Sequence, residues 1–305
     1  MKCFIKNKNI NSCKLKEIYK YEKNSIILAN NHLKKNILSC AECEITYCNN
    51  ITSDEMNNFY EENYNLEFGD KSYKNIIKNK FYKFNSRFLS QVLFYFQFSK
   101  LFANIKVLEI GPSYLGVLPT LKFFQKKINY SYFDQLESKI ISEHGGKKIG
   151  NSLDFAKLKI KKYDLIWMSH VMEHYIPSHL SKIFTRLKSC LNKNGRIFIE
   201  IPNDILSKSF TMPHTLFFTE EFLRKFFINL GFKIIALNKI NLKYNKFQKK
   251  EVKNYLSPKK NYLWFFYRRL QNILPVYFLE KFSFNNFIRK SPYTDMPIIR
   301  IIVEK

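Results

Sequence analysis

Between residues 66 and 240 the sequence alternates short apolar runs with longer amphipathic stretches, and this pattern constrains the fold more than any other feature. The run at 163–168 is nearly free of polar side chains, which is typical of a central parallel strand. The runs at 105–110 and 196–201 are also short and contain β-branched residues. Strand-like runs that alternate with helical stretches predict an α/β fold with a doubly wound, Rossmann-like sheet.

Local signals predict the remaining elements of this sheet. Apolar residues at helical spacing predict helices over 115–124, 180–191 and 220–230, and Thr219 suits the N-cap of the last one. Asn194-Gly195 predicts a helix end, with Gly195 in the left-handed conformation. Further strands are predicted at 130–133, 232–237 and 298–303.

Three regions of the 305-residue chain differ in character. Residues 1–65 hold five of the six cysteines and form the first predicted domain. Residues 66–305 form the second, which includes a basic, aromatic and helical insert at about 241–295, before the last strand. A hydrophobic fraction of 46% is enough for a sizeable core and excludes wholesale disorder.

The formal net charge of +26 suggests a nucleic-acid protein at first sight. However, 43 of the 51 basic residues are Lys and only 8 are Arg. Proteins that read phosphates and bases favour the planar fork of Arg, so nucleic acid is not the expected partner. The charge still favours anionic partners such as nucleotide-linked or lipid-linked substrates. The chain shows neither a signal peptide nor a membrane-spanning run, and we expect a cytoplasmic location.

The turn after the first predicted strand has the pattern of a nucleotide-binding loop. It reads Glu109-Ile110-Gly111-Pro112-Ser113-Tyr114-Leu115-Gly116. Gly111 allows a tight turn and a close approach of the backbone to a ligand. Asp134 follows Gly111 by 23 residues, at the end of the second strand, where its carboxylate can bind both ribose hydroxyls. The pair fits dinucleotide and adenosyl ligands equally well.

Further motifs follow this turn in a specific order. They are Tyr163-Asp164-Leu165-Ile166, then Ser169-His170-Val171-Met172-Glu173-His174, then a helix that leads into Asn194-Gly195 and a strand ending in Pro202-Asn203, and finally His214 with Phe217-Phe218-Thr219. In this order the chain resembles the class I S-adenosyl-L-methionine-dependent methyltransferases, in the branch that acts on small molecules and sugars. The resemblance covers roughly residues 100–240 and the last strand.

The resemblance implies a set of residues that bind S-adenosyl-L-methionine. Glu109 would orient the methionine amino group, Asp134 would hold the ribose, and Gln135 would flank the adenine. The remaining cofactor contacts would come from the turn, from the segment after the third strand and from the end of the fourth: Gly111, Pro112, Ser113, Gly116, Ser152, Leu153, Asp154, Ser169 and His170. The family usually has a second glycine where Ser113 stands, and Gly116 matches the third only if the loop is one residue longer.

His174, His214 and Glu173 are the predicted catalytic residues. They lie at the carboxyl edge of the predicted sheet, and a neutral histidine is well matched to removing the proton of an acceptor hydroxyl. The alternatives are that Glu173-His174 caps the next helix and that His214 packs under Phe217-Phe218. A divalent metal held by His170, Glu173 and His174 is a further alternative, because some related quinone methyltransferases use a similar site with a carboxylate where His170 stands.

The N-terminal segment contains a CxxC pair, Cys40 and Cys43, and resembles the zinc-ribbon-like segment that precedes many sugar-methyltransferase domains. Zinc needs four ligands, so the set Cys3, Cys13, Cys40 and Cys43 is the candidate site, with His32 as a substitute ligand. The alternative is a degenerate knuckle that no longer binds metal.

The stretch at 241–290 combines lysines with Trp264, Phe265, Phe266 and Tyr267. It is predicted to be a lid over the substrate cleft, a peripheral contact with the inner face of an anionic membrane, or plain surface packing.

The resemblance implies O-methylation of a sugar or sugar-linked small molecule in surface polysaccharide biosynthesis. The alternatives are an RNA-modifying methyltransferase and a non-catalytic Rossmann-like binding protein.

Overall fold

The computed structural model describes residues 15–20, 36–49, 51–58, 60, 86–99, 104–113, 115–124, 127–151, 161–207, 214–240 and 297–305. Its strands are β1 (Leu15–Lys20), β2 (Asn36–Cys40), β3 (Thr46–Cys48), β4 (Ile105–Ile110), β5 (Ile128–Phe133), β6 (Lys147–Gly150), β7 (Tyr163–Ser169), β8 (Leu191–Pro202), β9 (Leu216–Phe217), β10 (Lys233–Ile240) and β11 (Ile298–Glu304). Its helices are α1 (Ser53–Asn58), α2 (Ser86–Phe98), α3 (Leu118–Phe124), α4 (Lys139–Glu143), α5 (Leu180–Ser189), α6 (Asp204–Ser207) and α7 (Glu220–Asn229). Two single 3₁₀ turns, Met172–His174 and Pro177–His179, separate β7 from α5.

The central sheet has seven strands in the order β10-β11-β8-β7-β4-β5-β6. The strands from β4 to β8 pair in parallel, and β11 inserts antiparallel between β8 and β10. The chain therefore begins the sheet at β4, builds outward to β6, and restarts on the other side of β4 with β7. This reversal is the switch point at which doubly wound sheets bind ligands. The predicted α/β, doubly wound, Rossmann-like sheet is confirmed.

Burial of β7 on both faces of the sheet explains the nearly continuous apolar run in its sequence. Leu165 and Trp167 on one side of β7 and Ile166 and Met168 on the other are all fully buried. The helices pack by their apolar faces, and the side-chain oxygen of Thr219 caps α7 by accepting from Phe222 N at 3.0 Å. Each strand and helix predicted in the described part of 105–303 is present, with shifts of a few residues at the ends.

The prediction for Gly195 is wrong in its detail. Helix α5 ends at Ser189, and the left-handed residue before the next strand segment is Asn194, with φ 61°. Gly195 has another reason to lack a side chain, because a Cβ there would lie 3.0 Å from the carbonyl oxygens of Asn192 and Tyr163. Asparagine tolerates the left-handed region better than most residues, so it takes the turn while glycine allows the close backbone contact.

A second, four-stranded antiparallel sheet has the order β1-β2-β3-β9. Its last strand, Leu216–Phe217, comes from the later part of the chain and directly follows His214 and Thr215. Thr46 pairs with Phe217, and Cys48 N donates to Thr215 O at 2.8 Å. The N-terminal strands therefore hold a segment that carries a predicted catalytic residue.

Several predictions fall outside the described residues, namely the boundary at 65 and the insert at 241–295. Within the residues that the structure describes, no helix is long and apolar enough to cross a membrane.

Candidate active site

The turn after β4 is built around three residues with positive φ: Gly111 at 64°, Ser113 at 57° and Gly116 at 56°. A Cβ on Gly111 would lie 2.6 Å from Val171 Cγ2, and one on Gly116 would lie 2.7 Å from Glu109 Oε2. Both glycines are therefore required by space as well as by backbone conformation. Ser113 adopts a conformation that usually favours glycine, which gives a physical reason for the glycine that related chains have there.

Glu109 lies beneath this turn and is almost completely buried. Its Oε2 accepts from Val117 N at 2.9 Å and from the hydroxyl of Tyr130. Burial raises the pKa of Glu109 to about 8, although the hydrogen bond from Val117 acts in the opposite direction. The carboxyl therefore ties the turn to β5, and its predicted role in orienting an amino group stays a prediction.

Asp134 joins the turn to the end of β5. Its Oδ2 accepts from Ser113 N at 2.8 Å and its Oδ1 from Leu136 N at 2.9 Å. Burial raises the pKa of Asp134, and these backbone N–H groups partly offset that rise. The adjacent Gln135 has a buried Nε2 without a hydrogen-bond partner among the described residues, which leaves one donor beside the turn. The candidate contacts Ser152, Leu153 and Asp154 lie outside those residues.

The end of β7 is held by a buried polar network that the sequence analysis did not identify. Ser169 Oγ accepts from Arg87 Nη2 and from Gln91 Nε2, both at 2.7 Å. Gln91 also donates to Glu200 Oε1 at 2.6 Å, and Arg300 Nε donates to Glu200 Oε2 at 2.7 Å. A usable signal was present, because Glu200 and Arg300 are charged residues inside otherwise apolar strands, and buried charges are normally paired.

Charges in this network are strongly perturbed. Burial, the largest single effect, would raise the pKa of Glu200, but Arg300, His170 and Arg87 together outweigh it and hold that pKa well below its usual range. Burial lowers the pKa of His170 to about 4, and the positive charge of Arg87 adds to the effect. His170 has φ 55°, and its Nε2 lies 3.4 Å from Glu200 Oε1. His170 therefore faces Glu200 as a neutral imidazole next to the switch point.

The predicted catalytic residues meet in a second cluster just beyond the network. His174 Nε2 lies 3.7 Å from Glu173 Oε1, and the rings of His174 and His214 are 5.0 Å apart. His214 Nδ1 lies 2.7 Å from Asp204 Oδ2, at hydrogen-bond distance. Burial opposes a charge on His214, but the hydrogen bond to Asp204 and the charges of Glu173 and Asp204 prevail and raise its pKa. Asp204 was missed, because it follows Pro202-Asn203 as an ordinary helix-initiating acid.

Glu173 is the least satisfied member of this cluster. It is fully buried, and neither carboxyl oxygen accepts a hydrogen bond within the described ranges. Burial raises its pKa to about 8, and His214 acts against that rise. The potential ligand atoms of Glu173, His174 and His214 all lie within 4.8 Å of one another, close enough to surround a metal ion after small adjustments.

The CxxC pair lies at the hairpin turn between β2 and β3. Cys40 is the last residue of β2 and Cys43 lies in the turn that follows. Both are buried and form no disulfide, and Cys43 N donates to Cys40 Sγ at 3.4 Å. Cys3 and Cys13 lie outside the described residues, so the predicted four-cysteine zinc site stays a prediction.

Comparisons with known proteins identify the family of the chain and a solved structure with a similar fold. A family model described as a methyltransferase domain matches residues 81–237. A Burkholderia thailandensis 1,6-didemethyltoxoflavin-N1-methyltransferase, solved with 1,6-didemethyltoxoflavin and S-adenosylhomocysteine, is 11% identical with a TM-score of 0.50, over 90% of this chain and 97% of that one. A Haemonchus contortus phosphoethanolamine N-methyltransferase in complex with S-adenosyl-L-methionine is 14% identical with a TM-score of 0.49. The alignment covers 85% of this chain and 61% of that one. No curated protein matches the sequence. At this identity, the Burkholderia structure shows a similarity of fold.

Proposed function

Because the chain belongs to the methyltransferase domain family, we propose that it transfers a methyl group from S-adenosyl-L-methionine to a hydroxyl oxygen of a small molecule. It is an S-adenosyl-L-methionine-dependent methyltransferase, and the acceptor class is our inference. The observation that carries this inference is the placement of two groups at one edge of the sheet. The turn at Gly111–Gly116 and the cluster of Glu173, His174 and His214 lie on either side of the end of β7.

The residues at the turn fit the cofactor. Gly111 and Gly116 allow the turn to pack tightly against Val171 and Glu109, and the unpaired Nε2 of Gln135 offers a donor next to the Asp134 carboxyl. We assign Asp134 to the ribose hydroxyls and Gln135 to the adenine side. When bound, the cofactor supplies a methyl group on a positively charged sulfur, which is a ready electrophile. The chain's task is therefore to align the acceptor oxygen with that carbon and to remove its proton.

The histidine side of the site supplies the second task. His214 is oriented by Asp204 through Nδ1, so its Nε2 is the basic atom available to an acceptor. The arrangement of a base oriented by a buried carboxylate is common to many sites that move protons. Ser169 and His170 stand between the turn and this cluster, where the methyl group would be transferred.

We further propose that the acceptor is a sugar or a sugar-linked small molecule, free, nucleotide-linked or lipid-linked, in surface polysaccharide assembly. The net charge of +26 supports an anionic acceptor, and the zinc-ribbon-like segment is typical of sugar methyltransferases. A cytoplasmic location, a structural zinc on the cysteines and a lid or membrane contact at 241–290 belong to the same proposal.

Calorimetry with S-adenosylhomocysteine on the full chain tests the cofactor site. We expect binding, and we expect Asp134→Asn to weaken it by about 10- to 100-fold, as for the loss of a charge-assisted hydrogen bond. Asp164→Asn is the matched control, because Asp164 Oδ2 also accepts from a backbone N–H, that of Lys106 at 2.8 Å, at the opposite end of β7. The control should retain its affinity for S-adenosylhomocysteine.

Transfer of labelled methyl groups to a panel of free, nucleotide-linked and lipid-linked sugars tests the acceptor. Labelling of a sugar hydroxyl supports the proposal, and labelling of RNA alone would support the RNA-modifying alternative. Absence of S-adenosylhomocysteine binding at millimolar concentration would overturn the cofactor site itself.

A further inference from the structure

We propose that Glu173, His174 and His214 bind a divalent transition-metal cation such as Zn²⁺, with an open coordination position directed at the acceptor. This inference deepens the proposed function. The binding of the cation stands on its own observations, whereas the use of the open position by an acceptor oxygen rests on the proposed function.

The first observation is the isolation of the Glu173 carboxyl. It is fully buried, and neither of its oxygens accepts a hydrogen bond from the described residues. The nearest basic atoms, His170 Nδ1 and His174 Nε2, are 3.6 and 3.7 Å from Oε1, beyond hydrogen-bond distance. A buried carboxyl group without partners is unfavourable unless it is paired or coordinates a metal. The carboxyl points into a group of histidines, which is the environment that such a cation needs.

The second observation is the orientation of His214. Its Nδ1 faces Asp204 Oδ2 at 2.7 Å, and Asp204 is itself buried. Histidines that bind metals almost always donate their other ring N–H to a carboxylate or carbonyl, which fixes the tautomer and leaves the second nitrogen as ligand. Asp204 therefore prepares Nε2 of His214 for coordination without being a ligand itself.

The third observation is that the two segments carrying the ligands are locked together. Thr215 N donates to Glu173 O at 2.8 Å, and Thr215 Oγ1 donates to Tyr175 O at 2.6 Å. The residue next to His214 is thus hydrogen-bonded to the turn that carries Glu173 and His174. A ligand set that is held by the backbone in this way does not need to be assembled by the ion.

The geometry and the donor types indicate the kind of ion. The ligand atoms lie within 4.8 Å of one another, and a tetrahedral zinc with bonds of about 2.0–2.2 Å needs separations of roughly 3.4 Å. Small side-chain rotations close that difference. Two imidazoles and one carboxylate are typical of catalytic zinc and of other first-row metals, whereas Mg²⁺ and Ca²⁺ prefer oxygen ligands.

His170 does not complete the set. Its ring nitrogens are not in the group of ligand atoms that all lie within 4.8 Å of one another, and its Nε2 lies 3.4 Å from the Oε1 of Glu200, which is paired with Arg300. The three ligands therefore leave a coordination position open. His174 and His214 are each partly exposed, with 17% and 14% of their side-chain surface accessible, so that a small molecule can reach this position.

An acceptor hydroxyl at the open position would lose its proton more readily, as metal-bound water does. The O–H bond breaks and the proton passes to solvent, the oxygen forms a bond to the methyl carbon, and the carbon–sulfur bond breaks. The products are the methyl ether, S-adenosylhomocysteine and one proton. With the cation bound, His214 is a ligand and is no longer needed as the base.

Metal titrations of the full chain test the proposal. Protein freed of metal by a chelator is titrated with Co²⁺ and Zn²⁺, because Co²⁺ reports its ligands in its absorption spectrum. We expect a site without a thiolate charge-transfer band, distinct from the thiolate site proposed for the cysteines, and competition by Zn²⁺. Glu173→Gln and His214→Ala should each weaken binding by at least 100-fold, and Asp204→Asn by about 10- to 100-fold, as for other groups that orient metal ligands.

His179→Ala is the matched control, because His179 is an exposed histidine on the following 3₁₀ turn. The Co²⁺ affinity of this variant should equal that of the wild type. Equal Co²⁺ affinity in all variants, a purely thiolate spectrum or no binding would each overturn the metal site. Circular dichroism of the same samples shows whether each variant is folded. If Glu173→Gln or His214→Ala does not fold, the Co²⁺ affinities of Asp204→Asn and His174→Gln, which should also be weakened, decide. Loss of S-adenosylhomocysteine binding in the wild type would refute the proposed function while leaving the metal assay interpretable.

Discussion

Ser113 lies at φ 57°, in a region that costs a residue with a side chain roughly 1 kcal/mol relative to glycine. Its N–H also donates to Asp134 at 2.8 Å, so the strained backbone and the proposed ribose-binding carboxyl are directly connected. The strain is therefore stored at the point where the cofactor would contact the turn.

Replacing Ser113 by glycine should relieve this strain. We expect Ser113→Gly to raise the free energy of unfolding by up to about 1 kcal/mol and Ser113→Val to lower it by about 1–2 kcal/mol, because a β-branched residue is least compatible with positive φ. Urea unfolding of both variants measures the effect. S-adenosylhomocysteine affinity should be kept in Ser113→Gly; a tenfold loss would mean that the hydroxyl contacts the ligand.

Glu109 predicts a pH dependence of stability. Burial raises its pKa from 4.5 to about 8, so between these values the folded chain retains a proton that the unfolded chain has released. The free energy of unfolding therefore falls as pH rises through this window, by roughly 5 kcal/mol at most, at about 1.4 kcal/mol per unit of pKa difference. Glu109→Gln should remove this pH dependence. From pH 5 to pH 8 the free energy of unfolding of the variant should therefore rise relative to that of the wild type.

The control for this experiment is Glu143→Gln, since Glu143 is exposed at the end of α4. Its stability should follow the wild-type curve. A parallel pair of curves for Glu109→Gln and wild type would show that Glu109 is charged in the folded chain at neutral pH.

Sequence reasoning at this scale located residues whose chemistry depends on local motifs. Gly111, Asp134, His174 and His214 were predicted as site residues because a turn, a spacing or a strand end marks them, and their roles stay predictions. Arg87, Gln91 and Arg300 were not found, because their partners are between 78 and 210 residues away in sequence. Asp204 was missed for the related reason that its partner His214 lies ten residues further along the chain, and only the fold brings the two together.

At the scale of elements, the strands of the seven-stranded sheet were predicted because β4, β7 and β8 are buried on both faces. Their sequences are therefore almost continuously apolar. It could not predict that Leu216–Phe217 would add to the N-terminal sheet, because a two-residue strand has no periodicity. This short pairing links the CxxC hairpin to the segment of His214. Thr219 Oγ1 donates to Glu44 O at 3.2 Å and strengthens the same junction.

The junction predicts that the N-terminal strands support methyl transfer more than cofactor binding. Phe217 is buried in a small cluster with Ile37 and Cys48, and Ile205, the neighbour of Asp204, packs against it. Phe217→Leu should lower stability by about 1–2 kcal/mol and, by loosening His214 and Asp204, reduce kcat by roughly tenfold. S-adenosylhomocysteine affinity should stay within about twofold of wild type, which falls within the spread expected for a distant site.

Phe198→Leu on β8 is the matched control, since Phe198 is equally buried in a separate core cluster that contains no residue of this junction. It should cost similar stability and leave kcat close to wild type. Equal losses of kcat in both variants would show a general effect of destabilisation and contradict the specific role of the junction.

At the scale of the whole molecule, one buried network joins elements from the beginning, middle and end of the described chain. Arg300 on β11 contacts Glu200 on β8 at 2.7 Å and Ser90 Oγ on α2 at 3.0 Å. Gln91 connects the same carboxyl to Ser169 at the switch point. The last strand therefore stabilises the floor of the active site as well as the edge of the sheet.

Removing Arg300 alone should lower the free energy of unfolding more than removing the whole Arg300–Glu200 ion pair. Arg300→Met leaves the buried Glu200 charge uncompensated, and we expect a loss of about 3–5 kcal/mol in the free energy of unfolding. We also expect Arg300→Met to weaken S-adenosylhomocysteine binding, because Gln91 connects Glu200 to Ser169. The double variant Arg300→Met/Glu200→Gln removes the uncompensated charge, so it should recover about half of the lost stability and the affinity for S-adenosylhomocysteine. Urea unfolding and calorimetry on wild type, both single variants and the double variant complete the cycle. If the double variant were no more stable than Arg300→Met, the hydrogen bonds from Arg300 to Ser90, and not its charge, would hold the last strand to α2.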